Sequence, residues 1–132
     1  MTTTTTSPVR RVTVPLWRGL TITVECPAWC VLDHGQDPAQ HPSDIYHWGK
    51  TEAVTGRPSD GSQVPGMYAH LMQTPFDPRH NRPVMAVALG GQDTQDYALP
   101  ALDQLLADLE DFVPRLRALR DQLAGLEHGG GR

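Results

Sequence analysis

Lysine is almost missing from this chain: of its eleven basic residues, only Lys50 is not arginine. Fifteen acidic residues outweigh them and leave a formal net charge of −4. That balance argues against a nucleic-acid surface built from basic side chains. Residues 25–49 contain no lysine or arginine at all. Aromatic residues make up only 6% and hydrophobic residues 39% of the 132 positions, so the core is lean. No apolar run approaches the roughly 18 residues of a membrane-spanning helix. Residues 1–7 are a threonine run with no basic start and no apolar stretch. No secretory signal is expected there, and the expected compartment is the reducing cytoplasm. The chain also lacks His-Glu-x-x-His, the deaminase pair of His-x-Glu with Pro-Cys-x-x-Cys, and a glycine-rich phosphate loop. Gly90-Gly91 is a lone pair and reads as a turn.

Cysteine is as scarce as lysine, but its placement is informative. Both cysteines fall in Cys26-Pro27-Ala28-Trp29-Cys30-Val31-Leu32-Asp33-His34, and His41 and His47 follow. Two thiolates and two imidazoles are the donor set of a tetrahedral zinc ion. Cysteines four apart converge if the chain makes one helical turn, and Pro27 suits the start of such a turn. His34 follows at the same step. The fourth ligand must come from farther along, from His47 or His41. Other readings of the same residues are two reduced structural thiols, a disulfide, or a reactive Cys30 beside His34. Pro27 and Trp29 would form a packing lid over the site, or Trp29 is an ordinary core aromatic. A catalytic zinc would need an open position and a nearby base, for which Asp33 or Glu25 is available. His70 lies in a strand pattern, His80 in a turn and His128 near the end of the chain; none is expected to act as a ligand.

The remaining pattern predicts an α+β fold. Residues 9–24 read as a β-hairpin turning at Arg18-Gly19, with Val12, Val14 and Leu16 on one face and Leu20, Ile22 and Val24 alternating in the return strand. Residues 33–66 are dense in Asp, Pro, Gly, Ser and His and read mainly as irregular. A short strand is possible at Ile45–His47 or Thr51–Val54. Residues 67–74 and 84–89 are the next strands, and Tyr97–Leu99 is a possible last one. The expected architecture is a small antiparallel sheet, made of the hairpin plus these strands, packed by a long kinked C-terminal helix with a zinc-stapled loop. Residues 1–7 and 128–132 are expected to be disordered tails flanking a single domain over 8–127, with the zinc loop at 25–50.

The helix is the most regular segment. Leu102, Leu105, Leu109, Phe112, Leu116, Leu119, Leu123 and Leu126 alternate steps of three and four, a heptad seam. Pro100 fits the first turn. Pro114 lies inside, where a proline removes one backbone bond, so a kink is expected near Glu110–Pro114. Gly125 and Gly129–Gly131 are expected to end the helix. The seam either packs on the sheet, as the extra Leu106 and Val113 suggest, or pairs with a second copy or a partner helix.

The Cys26-Pro27-Ala28-Trp29-Cys30 motif, with Asp33-His34 and the later His47-Trp48-Gly49, resembles a set of small uncharacterised actinobacterial proteins built around Cys-Pro-x-Trp-Cys. The resemblance implies Cys26, Cys30, His34 and His47 as the metal ligands, because His41 matches no fixed element of the motif. It implies no activity. The function expected from all this is a non-catalytic module, stabilised by structural Zn2+, that binds a protein partner or forms a homodimer through the C-terminal helix. The alternative is a small metal-dependent hydrolase with an open zinc position.

Overall fold

A computed structural model describes residues 9–36, 39 and 41–129. Residues 1–7 and, of the tail expected over 128–132, residues 130–132 lie outside the described residues; His128 instead ends the C-terminal helix and Gly129 follows it in a turn. The chain divides into two compact units, one ending at Ala98 and the other beginning at Leu99. The α+β class holds: the first unit carries seven strands and the second is one helix.

The hairpin is β1 (Arg10–Pro15) against β2 (Thr21–Cys26), antiparallel, with Val12 opposite Val24 and Val14 opposite Ile22. The turn is a single 3-10 turn, Trp17–Gly19. Arg18 sits there at φ 61°, a left-handed conformation, with its guanidinium 4.3 Å from the centre of the Trp17 ring. One face of the hairpin is buried. Val14 and Val24 form a cluster with Ile45, and Val12, Leu16, Ile22 and Ala39 pack around it. Ile45 therefore comes from the segment expected to be irregular, and it closes the hairpin's core. The Ala39 N–H is tied to the Pro15 carbonyl at 3.1 Å.

The other strands form a second, five-stranded sheet: β3 (His47–Trp48), β4 (Glu52–Gly56), β5 (Val64–Gln73), β6 (Val84–Leu89) and β7 (Gln95–Tyr97). The expected strands are thus distributed over two sheets rather than one. Both short strands suspected near residues 45–54 exist. β3 lies opposite Gln73 and Met72, and β4 opposite Ala69 to Val64, so the two share one edge of β5. β6 takes the other edge. β5 begins three residues before the expected start. A register shift between Val54 and Thr55 accommodates its Pro65, which cannot donate to a ladder. Gly66 is required beside it, since a Cβ there would run into the Val54 carbonyl.

The second unit is α1 (Leu99–His128), one helix that continues through Pro114 and past Gly125. None of its residues is buried. Among the described residues, no helix is long and apolar enough to cross a membrane.

Besides His47, the sheet buries His70, the histidine that the sequence places in a strand pattern. His70, opposite Ala86 in the β5–β6 ladder, is 2% exposed and stacks on Trp48 at 3.6 Å between ring centres. Neither ring nitrogen has a hydrogen-bond partner among the described residues. Burial pushes its pKa below the usual 6.5. Below that pH the unfolded chain takes up a proton that the folded chain resists, so stability falls as pH drops. His70→Leu should reduce this dependence. Its urea midpoint is expected to move less than the parent's between about pH 7.5 and about pH 5.5. Equal movement in the two chains would contradict the assignment.

Candidate metal centre

Cys26 is the last residue of β2, and the hairpin's buried face delivers its side chain inward. Alternation along the strand sends Glu25 the other way, to solvent. The chain then turns once: the Cys30 N–H donates to the Pro27 carbonyl at 3.0 Å. This is the turn that a proline after the first cysteine suggests. It is not prolonged into a helix. Val31 donates instead to the Trp48 carbonyl at 2.8 Å, and Cys30 bridges to Gly49. The cysteine loop is thereby laid along β3. Beyond it, the Asp33 carboxylate accepts the Gly35 N–H at 3.1 Å, and the turn it makes brings His34 back to Cys30.

The partner strand supplies His47. Two residues on, the Gly49 N–H continues the ladder to the Leu71 carbonyl at 2.8 Å. A Cβ on Gly49 would lie 3.1 Å from that of Leu71 and 3.5 Å from the Trp29 ring. The glycine of His-x-Gly is thus explained by close approach: the cysteine loop and β5 press on it from two sides.

Cys26, Cys30, His34 and His47 are all buried, and one donor atom from each lies within 4.8 Å of the other three. Cys30 Sγ and His34 Nε2 are 3.5 Å apart. The His34 and His47 rings meet edge to face, 5.3 Å between centres at 88°. With metal–sulfur bonds of about 2.3 Å and metal–nitrogen bonds of about 2.0 Å, neighbouring tetrahedral donors lie about 3.3–3.8 Å apart. The cluster is close to that geometry and needs only a small contraction. Both thiols are free. His47 Nδ1 is fully buried and without a hydrogen-bond partner among the described residues, an unusual state for a ring nitrogen unless another group satisfies it. These four residues could hold a metal ion.

His41 stands apart. It is exposed, and its backbone N–H donates to the Asp44 carboxylate at 3.1 Å as a 3-10 turn begins. Of the two histidines open as fourth donor, His47 joins the cluster. Trp29 is half-buried and edge-on to His47, with ring centres 6.1 Å apart. Asp33 is exposed and engaged in its own turn, and Glu25 is exposed on the far face, so neither carboxylate is held as a general base.

Electrostatics favour neutral ligands until a cation arrives. Burial, and then the neighbouring His34, lower the His47 pKa to about 4. The imidazole is therefore neutral at physiological pH, the form that donates to a metal. Burial raises the Cys26 thiol, with Cys30 adding to the shift and Arg10 opposing it. Arg10 lies within the predicted hairpin over residues 9–24, and the sequence alone gives it no role at the cysteines. Its guanidinium donates to the Cys30 carbonyl at 3.1 Å and lies 3.6 Å from Cys26 Sγ. The hairpin register pairs Arg10 with Cys26 directly, and carrying the second strand of the predicted 9–24 hairpin two residues further, to Cys26, finds the pair. A guanidinium beside a buried sulfur favours its thiolate form.

Over residues 1–125 the chain matches the family described as a domain of unknown function, DUF6907. The protein belongs to that family. No curated protein and no solved structure matches the chain. The family description names no activity, so chemical inference rests on the site itself.

The two candidate histidines separate cleanly in a metal assay. His47→Ala should abolish metal retention after gel filtration, whereas His41→Ala should keep the parent's metal content. Loss in His41→Ala, or retention in His47→Ala, would reject this ligand set.

Proposed function

We propose that Cys26, Cys30, His34 and His47 bind a single structural zinc ion, and that the chain is a non-catalytic, zinc-stabilised protein-binding or regulatory module of the cytoplasm. The observation that carries the reading is the convergence of four buried donors of exactly two chemical kinds, two thiols and two imidazoles. Two sulfurs with two nitrogens suit zinc better than magnesium or calcium, which take oxygen. Four protein ligands leave no coordination position for a reacting water, the arrangement of structural sites. Free thiols fit a reducing compartment. The resemblance to small actinobacterial Cys-Pro-x-Trp-Cys proteins supports the same ligands.

The metal would act as a clamp. His34 and His47 bracket the segment that carries Ile45, the residue that closes the hairpin core. Cys26 ends the hairpin and His47 starts β3, the edge of the larger sheet. One ion would therefore join hairpin, loop and sheet. Structural zinc in small domains contributes on the order of 10 kcal/mol of apparent binding free energy, which is then folding free energy.

Elemental analysis of the purified protein should find about one zinc per chain. A chelator should lower the melting temperature by at least about 10 °C, and Cys26→Ser should behave like the chelated parent. An unchanged melting curve on chelation would refute the structural role. The hydrolase reading keeps one observation in its favour, a cavity of about 450 Å³ bordered by Cys30, His34, Asp33 and Arg10. Cobalt substitution separates the two. A closed Cys2His2 site gives an absorption spectrum that does not change between about pH 6.5 and about pH 9, while an open site with a bound water titrates.

A further inference from the structure

We propose that α1 pairs with α1 of a second copy of this chain, antiparallel, as a two-stranded coiled coil centred near Pro114. The inference is independent of the metal centre and holds whether or not that centre is filled. It rests on the seam, on the charges and on the position of the proline.

The seam residues of α1 alternate steps of three and four from Leu102 to Leu126, a heptad repeat with a period of about 3.5 residues. That period, rather than 3.6, is the one that keeps an apolar stripe facing a partner helix as the two supercoil. No residue of α1 is buried, and Phe112, Leu116, Leu119, Leu123 and Leu126 are exposed. The order of steps reads the same in both directions about the helix centre. Antiparallel pairing therefore sets Leu102 against Leu126, Leu105 against Leu123, Leu109 against Leu119 and Phe112 against Leu116. Each pair joins an a position to a d position, as an antiparallel dimer requires.

The charges select this orientation over the parallel one. Between Leu99 and Val113 the helix carries Asp103, Asp108, Glu110 and Asp111 and no lysine or arginine. From Pro114 on it carries Arg115, Arg117 and Arg120, with Asp121 and Glu127. Arg120 is bound to Asp121 at 3.0 Å, but Arg115 and Arg117 make no ion pair among the described residues. A parallel dimer would lay acid on acid. An antiparallel dimer lays the acidic half of each copy along the arginine half of the other and opposes the two helix dipoles; Asp108, Arg115 and Arg120 flank the seam at g, g and e, while Asp103, Glu110, Asp111 and Arg117 act at longer range from positions b and c. Pro114 falls at heptad position f, opposite the seam, so its ring does not interrupt the contact. The carbonyl it deprives of a partner, that of Glu110, is at position b, also on the outer side.

Sedimentation equilibrium of the full chain should give twice the 14.5 kDa mass of one copy. Arg115→Glu/Arg117→Glu/Arg120→Glu makes both halves acidic and should weaken the dimer by about tenfold or more at low salt, with helicity retained by circular dichroism. Adding Asp103→Arg/Asp108→Arg/Asp111→Arg to that same chain restores complementarity and should restore the dimer. A parallel dimer would be indifferent to the first change, because acid would merely replace base on both facing strands. A parent chain that stays monomeric at all concentrations, or a dimer unaffected by the triple reversal, overturns the proposal.

Discussion

Four donor atoms converge in a space from which water is excluded, and each arrives on a different piece of backbone: a strand end, a tight turn, a loop return and a sheet edge. Burial alone would not gather them, because desolvating thiols and imidazoles costs free energy that apolar side chains do not lose. With a metal bound, the rest of the first unit would lean on this convergence. Its apolar core is small: around the hairpin, Val14, Val24 and Ile45 are the fully buried members. Burying three such side chains contributes about 1.5–3 kcal/mol each. A tetrahedral ion held by these four donors would contribute on the order of 10 kcal/mol, and would do so where the core is thinnest.

The local structure around the centre follows from that demand. Gly49 is small because Trp29 and Leu71 both crowd it, and only close contact lets the cysteine loop pair with the Trp48 carbonyl. Arg10 serves the same end from the hairpin side. It ties the Cys30 carbonyl while offsetting the charge that a Cys26 thiolate would bring into the interior. Removing the arginine would take away the guanidinium that lies beside the buried Cys26 sulfur.

Much of this was legible in the residues, and the gaps have physical causes. Period-two alternation from Val12 to Val24 marked the hairpin, and the Val84–Leu89 strand was placed to the residue. The cysteine pair and His34 stood out through spacing. His47 and His41 were equal candidates on chemistry, and only the His-x-Gly resemblance preferred the residue that joins the cluster. The start of β5 is not legible because Val64-Pro65-Gly66 reads as a breaker; a bulge that sets Gly66 of β5 against the Val54–Thr55 step admits the proline, and only the pairing with β4 reveals it. Ile45, at the start of a possible short strand within a mainly irregular stretch, carries no sign of a core role in its sequence, yet it is 2% exposed. Its burial is set by tertiary contact with the hairpin, which no local pattern reports. The same holds for the separation into two sheets, since alternation tells which face of a strand is apolar but not which strand is its neighbour.

X-ray absorption at the zinc edge of protein purified with its native metal tests the central claim most directly. The account predicts a four-coordinate shell of two sulfurs at about 2.3 Å and two imidazole nitrogens at about 2.0–2.1 Å. A shell of oxygen and nitrogen without sulfur, or protein that retains no metal at all, would contradict it.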